Sequence, residues 1–262
     1  IMKKIRILNK NFYKPISCLT AYSPSIANIL DGKVDLILIG DSLGTTLYGM
    51  KNTQMVTLEM MRNHGAAVNE VIKKSLKVLD MPYKTYENKI DAYKNAKKLL
   101  NYCKPDLLKL EINKKKLDIL EHLVRKKINV ISHIGVTPQS YKNFSKIRIL
   151  GKTNKEKKNL LSLAKESEKL GAKAVLLECI TADTAKLITK NISIPTIGIG
   201  ASKYCDGQVL VFDDLINLNI NRKKPKFVKN YLNINRIVGN AVRKYNREVK
   251  LKKFPSFKFS YK

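Results

Sequence analysis

At 262 residues and 44% hydrophobic content the chain can bury a full core, which excludes wholesale disorder. Its formal charge of +30 comes from 51 Lys+Arg against 21 Asp+Glu, yet the lysines run through every segment instead of gathering in a stripe or tail. With abundant Asn and Ile alongside, that scatter points to compositional bias and away from a nucleic-acid partner, leaving long-range attraction of small anions as its use. Cys18, Cys103, Cys179 and Cys205 form no C-x-x-C pair, so reduced thiols are expected rather than zinc or redox chemistry. No apolar run approaches the roughly 20 residues of a membrane helix, and the basic opening lacks the apolar core of a secretory signal. A cytoplasmic protein without a membrane partner is expected.

In chain order, Ile16–Thr20 reads as a first strand. Ser23-Pro24 then opens a helix, hydroxyl at the cap and proline in the first turn, that runs to Leu30. Val34–Ile39 is a short, branched apolar run suited to a strand buried on both faces, and it stops at Gly40-Asp41-Ser42. The segment from Gly44 to Thr57 is too long for a plain connection and reads as a working loop. A helix follows from Thr57 to about Lys73, then a strand Ser75–Asp80, a helix from Lys89 to Tyr102, and a strand Asp106–Glu111. Apolar residues at helical spacing fill Lys114–Lys127 before a fifth strand, Ile128–Ser132, which ends at His133-Ile134-Gly135. After an irregular stretch to Thr153 come a helix Lys155–Leu170 closed by Gly171, a strand Ala174–Glu178 and a helix Ala182–Lys190. Pro195–Gly200 and Gln208–Phe212 read as the last strands, and Asn230–Arg247 as a helix before a basic aromatic tail.

Strands alternating with helices mark βαβ units, and eight of them without a breaking linker predict a single (β/α)8 TIM barrel over residues 1–262, with a short basic N-terminal segment and a basic tail. An open doubly wound sheet is the alternative, weakened by the lack of a glycine-rich dinucleotide fingerprint after the first strand.

Four strands finish on acids: Asp41, Asp80, Glu111 and Glu178. Neighbouring parallel strands lie roughly 5 Å apart, so the first three acids converge on one patch of the C-terminal rim. Three close carboxylates repel, and a hard divalent cation with oxygen ligands, such as Mg²⁺, relieves that repulsion. A single such acid is more simply a helix cap or a lysine partner; three in register on adjacent strands favour the metal. Lys109 shares the interior face with Glu111 and can hold a substrate carboxylate or merely neutralise the acids. Glu178 is expected across the barrel from this cluster; isolated and facing an apolar pocket it suits a base abstracting a carbon-bound proton, with a helix-capping acid as the plainer alternative. His133 is a possible rim donor or a structural histidine, and Ile197–Ser202 a weak phosphate-cradle pattern.

Several segments, in order, carry a resemblance: Gly40-Asp41-Ser42-Leu43-Gly44, the run Val130 to Ser140 containing Ser132-His133-Ile134-Gly135-Val136-Thr137-Pro138-Gln139-Ser140, Leu177-Glu178-Cys179, Ile197-Gly198-Ile199-Gly200-Ala201, Asp206-Gly207-Gln208 and Pro225-Lys226-Phe227. From about Ser17 to Val249 the chain resembles the ketopantoate hydroxymethyltransferases. The resemblance implies a (β/α)8 barrel, usually decameric, acting in pantothenate and coenzyme A synthesis. It implies Mg²⁺ near Asp41, Asp80 and Glu111, an oxo acid held by the metal, Asp41, Ser42, Asp80 and Lys109, and Glu178 as proton acceptor. The implied one-carbon co-substrate is 5,10-methylenetetrahydrofolate. The chain departs from the family pattern at Ile112-Asn113, where a glycine pair is common, at Asn143-Phe144-Ser145-Lys146 in place of a glycine-rich loop, and at Ser202. These departures touch loop geometry and folate contacts. A Mg²⁺-dependent enzyme of the phosphoenolpyruvate mutase/isocitrate lyase type is the rival, though the rim cysteine or other acid in a mobile loop expected of it is not evident.

Overall fold

In the computed structural model, which describes residues 5–10, 14–218 and 224–261, eight parallel strands close into a barrel in sequence order. They are β1 (Ile16–Thr20), β2 (Leu36–Ile39), β3 (Leu76–Asp80), β4 (Leu107–Glu111), β5 (Val130–Gly135), β6 (Ala174–Glu178), β7 (Thr196–Ile199) and β8 (Gly207–Leu210). Closure comes from β8 pairing with β1, Cys18 against Val209. The helices are α1 (Pro24–Leu30), α2 (Leu43–Thr46), α3 (Leu58–Asn69), α4 (Lys89–Cys103), α5 (Leu117–Arg125), α6 (Asn154–Lys169), α7 (Ala182–Asn191), α8 (Phe212–Leu215) and α9 (Ile234–Lys250). The (β/α)8 barrel expected from the alternation is what the chain builds.

Local signals start the helices where the sequence places them. Ser23 accepts from Ile26 N with Pro24 in the first turn of α1, Thr57 and Asn88 cap α3 and α4, and Thr153 with Glu156 forms a capping box on α6. Each cap satisfies an otherwise orphaned N–H and so sets where the strand-to-helix loop ends.

Some boundaries differ from expectation. β5 starts at Val130 rather than Ile128, because Ile128 N still bonds Leu123 O at the end of α5. It then continues through His133 to Gly135, which pairs with Glu178. The eighth strand covers Gly207–Leu210 and not Gln208–Phe212, since Phe212 opens α8. The long loop after β2 holds α2 and a 3-10 turn, Thr53–Met55.

Side chains along a strand alternate between faces, and one parity fills the barrel with Ile16, Cys18, Leu36, Leu38, Leu76, Val78, Leu107, Ile131, Ala174, Leu176, Ile197 and Val209. Leu8, with Ile5 and Ile7 packed beside it, plugs this apolar interior from the N-terminal segment. The same parity continued toward the C-terminal ends gives Asp80, Lys109, Glu111, His133 and Glu178. An apolar floor thus lies under a polar rim, where barrel enzymes place their chemistry.

The chain divides into two compact units, Ile1–Val211 and Phe212–Lys262. Within the second, Tyr231 N bonds Leu215 O and Asn233 caps α9 through Arg236 N. Ile234, Ile237, Val238, Val242, Tyr245 and Val249 recur at helical spacing along one side of α9. Among the described residues no helix is long and apolar enough to cross a membrane.

Candidate active site

At the rim, Asp41 sits just beyond β2 and its backbone N–H donates to Asp80 Oδ2 at 3.0 Å. Lys109 Nζ is 3.0 Å from Asp80 Oδ1; the approach is an ion pair off the hydrogen-bonding direction, so Asp80 Oδ1 is buried without a hydrogen bond. The register Asp80↔Lys109 and Glu111↔His133 brings these groups together across three adjacent strands. All are secluded: Asp41, Asp80, Lys109, Glu111 and His133 are each 7% exposed or less.

Seclusion shapes their ionisation. Burial, only partly opposed by Lys109 and reinforced by Asp41, pushes Asp80 up to about 7. Burial likewise raises Asp41, against Lys109 and Gln139, and Glu111, where Asp41 adds to the effect. Burial alone would strip the Lys109 ammonium, but Asp80, Asp41 and Glu111 outweigh it and hold that proton above the usual lysine range. Burial and Lys109 together lower His133, which is therefore a neutral imidazole. Lys109 can only donate, so His133 Nδ1, 3.3 Å from Nζ, is the acceptor. The ring proton then lies on Nε2, 3.2 Å from Glu178 Oε2 but off the hydrogen-bonding direction, so Nε2 is buried without a hydrogen bond.

Glu178 is accordingly not isolated across the barrel, as the sequence suggested. His133 on the neighbouring strand lies between it and Lys109, because β5 runs on to Gly135. With its side chain 19% exposed, Glu178 is more open than the acids behind it. Gly135 makes this possible: at φ +98° a Cβ there would stand 2.4 Å from the Glu178 carbonyl oxygen. Ser42 bonds Tyr22 OH at 2.7 Å beside Asp41. Cys179 follows Glu178 but its thiol is pushed up to about 12 by burial and by Glu178, which removes it as a nucleophile.

Three carboxylates against one ammonium leave the cluster short of positive charge by the amount a divalent cation supplies. The donors are hard oxygens, and a buried Asp80 oxygen lacking a hydrogen bond is suited to such an ion. Among the described residues, however, no three His, Cys, Asp or Glu side chains form a ready metal cage. Glu111 is the acid held back, since both its oxygens accept from Gln139 N at 3.1 and 3.2 Å. Two protein carboxylates suffice for Mg²⁺, which keeps several positions for water and substrate. The residue set fits the ion, with Asp41 and Asp80 nearest to hand.

Gln139 and Tyr86 are the polar residues that strand-end reasoning missed. The motif Thr137-Pro138-Gln139-Ser140 was the available signal for Gln139, while nothing in the sequence pointed to Tyr86.

A family model described as ketopantoate hydroxymethyltransferase matches residues 2–257. The chain belongs to the ketopantoate hydroxymethyltransferase family. The 3-methyl-2-oxobutanoate hydroxymethyltransferase of Pelagibacter ubique (strain HTCC1062) is 48% identical over 255 residues, 97% of each chain. That of Anaplasma marginale (strain St. Maries) is 40% identical over 261 residues, covering 100% of this chain and 94% of the relative. As a ketopantoate hydroxymethyltransferase family member the chain is a transferase enzyme. Among solved structures, 2,3-dimethylmalate lyase, a PEP mutase/isocitrate lyase superfamily member, superposes with a TM-score of 0.62 at 12% identity, over 97% of this chain and 89% of its own. Phosphonopyruvate hydrolase in complex with oxalate and Mg²⁺ gives 0.62 at 11% identity, over 98% and 92%. At such identities the likeness is one of fold, shared by the family and these lyases and hydrolases.

Proposed function

We propose that the protein transfers a hydroxymethyl group from 5,10-methylenetetrahydrofolate to 3-methyl-2-oxobutanoate, giving 2-dehydropantoate and tetrahydrofolate for pantothenate and coenzyme A synthesis. The observation that carries this reading is the line Asp80–Lys109–His133–Glu178, which sets a cation-ready acid site next to an accessible carboxylate.

In this reading Asp41 and Asp80 hold Mg²⁺ with Glu111 behind them, and Lys109 and Ser42 orient the oxo acid. Bound Mg²⁺ supplies Lewis acidity to the 2-oxo group and so acidifies C3. Glu178 takes the C3 proton. His133 Nε2 lies 3.2 Å from Glu178 Oε2 and packs beside that carboxylate at the rim. The Lys109 ammonium, kept charged by the acids around it, offsets negative charge that develops on the oxo acid. In the net reaction the methylene carbon forms one bond to C3 and one to the oxygen of a water, both of its bonds to the folate nitrogens break, and the C3 proton with one proton of the water ends on those two nitrogens.

The apolar stripe of α9 supports a homo-oligomer, and the family resemblance points to a decamer. A cytoplasmic location, and small molecules rather than nucleic acid or membrane as partners, complete the proposal.

The test separates proton abstraction from binding. With Mg²⁺ and 3-methyl-2-oxobutanoate in deuterium oxide, the protein is expected to exchange the C3 hydrogen. Glu178→Gln is expected to retain oxo acid binding by calorimetry while exchange falls at least 100-fold. Unchanged exchange in Glu178→Gln would remove that residue as the base.

A further inference from the structure

Gln139 lies in the loop after β5 and is 4% exposed. Its side-chain nitrogen donates to Asp41 Oδ2 at 2.8 Å and to Met81 O at 3.0 Å. Because a backbone carbonyl only accepts, the atom facing Met81 must be the amide nitrogen, and the amide can take one orientation only. Oε1 then points to Tyr86 OH. That hydroxyl accepts from Glu111 N at 3.3 Å, so its own hydrogen is free to go to Gln139. The ring closes where Gln139 N donates to the Glu111 carboxylate.

Every donor in this ring has a fixed direction, and the two acids are its terminal acceptors. Tyr86 is fully buried, with Lys116 Nζ 4.2 Å from its ring centroid. Gln54 Nε2 donates to Gln139 O at 2.8 Å, joining the loop after β2 to the loop after β5. One residue therefore holds Asp41 through its side chain and Glu111 through its backbone.

We propose that Gln139, oriented by Tyr86, is a positioning residue that sets the spacing of Asp41 and Glu111 and thereby the affinity of the site for a divalent cation. This rests on the metal-dependent reading of the site. Gln139 fixes the direction of the Asp41 carboxylate and anchors Glu111 behind it by donating to both, and Tyr86 prevents the amide from turning away.

The experiment is Mn²⁺ binding to the protein without substrates, followed by electron paramagnetic resonance, together with thermal melting of the metal-free forms. Gln139→Leu is expected to weaken Mn²⁺ binding about 10- to 100-fold. Tyr86→Phe, a milder change that keeps the ring, is expected to weaken it less. The double variant should be no worse than Gln139→Leu, because Tyr86 acts through Gln139. A merely structural role would lower the melting temperature and leave Mn²⁺ affinity as it was, and that result overturns the proposal. Wild-type protein that binds no Mn²⁺ overturns the metal reading and the proposal with it. Wild-type protein that binds Mn²⁺ but exchanges no C3 hydrogen overturns the proposed reaction alone, and the variants still decide the positioning role.

Discussion

Asp80 concentrates the electrostatic tension of the rim. Its carboxyl is pushed from 3.8 up to about 7, foremost by burial, and Asp41 and Glu111 are raised in the same direction. The sign of the consequence is fixed: between the ordinary carboxylate range and about 7, the folded protein holds protons that the unfolded chain has released. Metal-free protein should therefore lose stability as pH rises from about 4 to about 7, three raised acids outweighing the single lowered His133, which works the other way below 6.5. Mg²⁺ is expected to restore stability at the upper end, and Asp80→Asn to flatten the dependence. Urea midpoints measured across that range, with and without Mg²⁺, check it; a midpoint that rises with pH in the metal-free protein would contradict the assignment. At this scale Asp80, Lys109 and Glu111 were legible because polar residues ending apolar strands share a face by simple alternation, and Asp41 because it follows directly on a buried apolar run. Gln139 and Tyr86 were not, because a loop residue's partners depend on the path of the loop.

β5 and β6 carry the clearest element-scale constraint. Gly135 opposes Glu178 in the register, and its φ of +98° with a would-be Cβ 2.4 Å from a backbone oxygen admits no side chain. Gly135→Ala is expected to cost about 1–3 kcal/mol in strain and to shift Glu178 enough to slow C3 exchange about 100-fold. Oxo acid binding at the acids and Lys109 should change far less, so a comparison of exchange rate with calorimetric affinity checks it. The sequence showed a glycine after His133-Ile134 but set the strand's end at Ser132. The three residues beyond that point join His133 to Glu178.

For the molecule as a whole, the charge of +30 is expected to attract the proposed anionic oxo acid at long range. The Debye length falls from about 30 Å at 0.01 M salt to about 8 Å at 0.15 M. The oxo acid's kcat/KM is expected to fall several-fold across that interval while kcat holds nearly constant. Steady-state rates at several salt concentrations check this, and a parallel fall in kcat would place the effect inside the site instead.

The sequence by itself determined the alternation of strands and helices, the barrel, and the acids and lysine on its inward face. Those follow from periodicities of two and 3.6 residues, from caps that act locally and, for Asp41, from its place just past an apolar strand. Only the tertiary structure decided that His133 lies between Lys109 and Glu178 and that Gln139 holds Asp41 and Glu111 at once. The physical reason is range: hydrogen bonds joining Gln139 to Tyr86, Asp41 and Glu111 link residues far apart in the chain, and their geometry exists only once the barrel has closed.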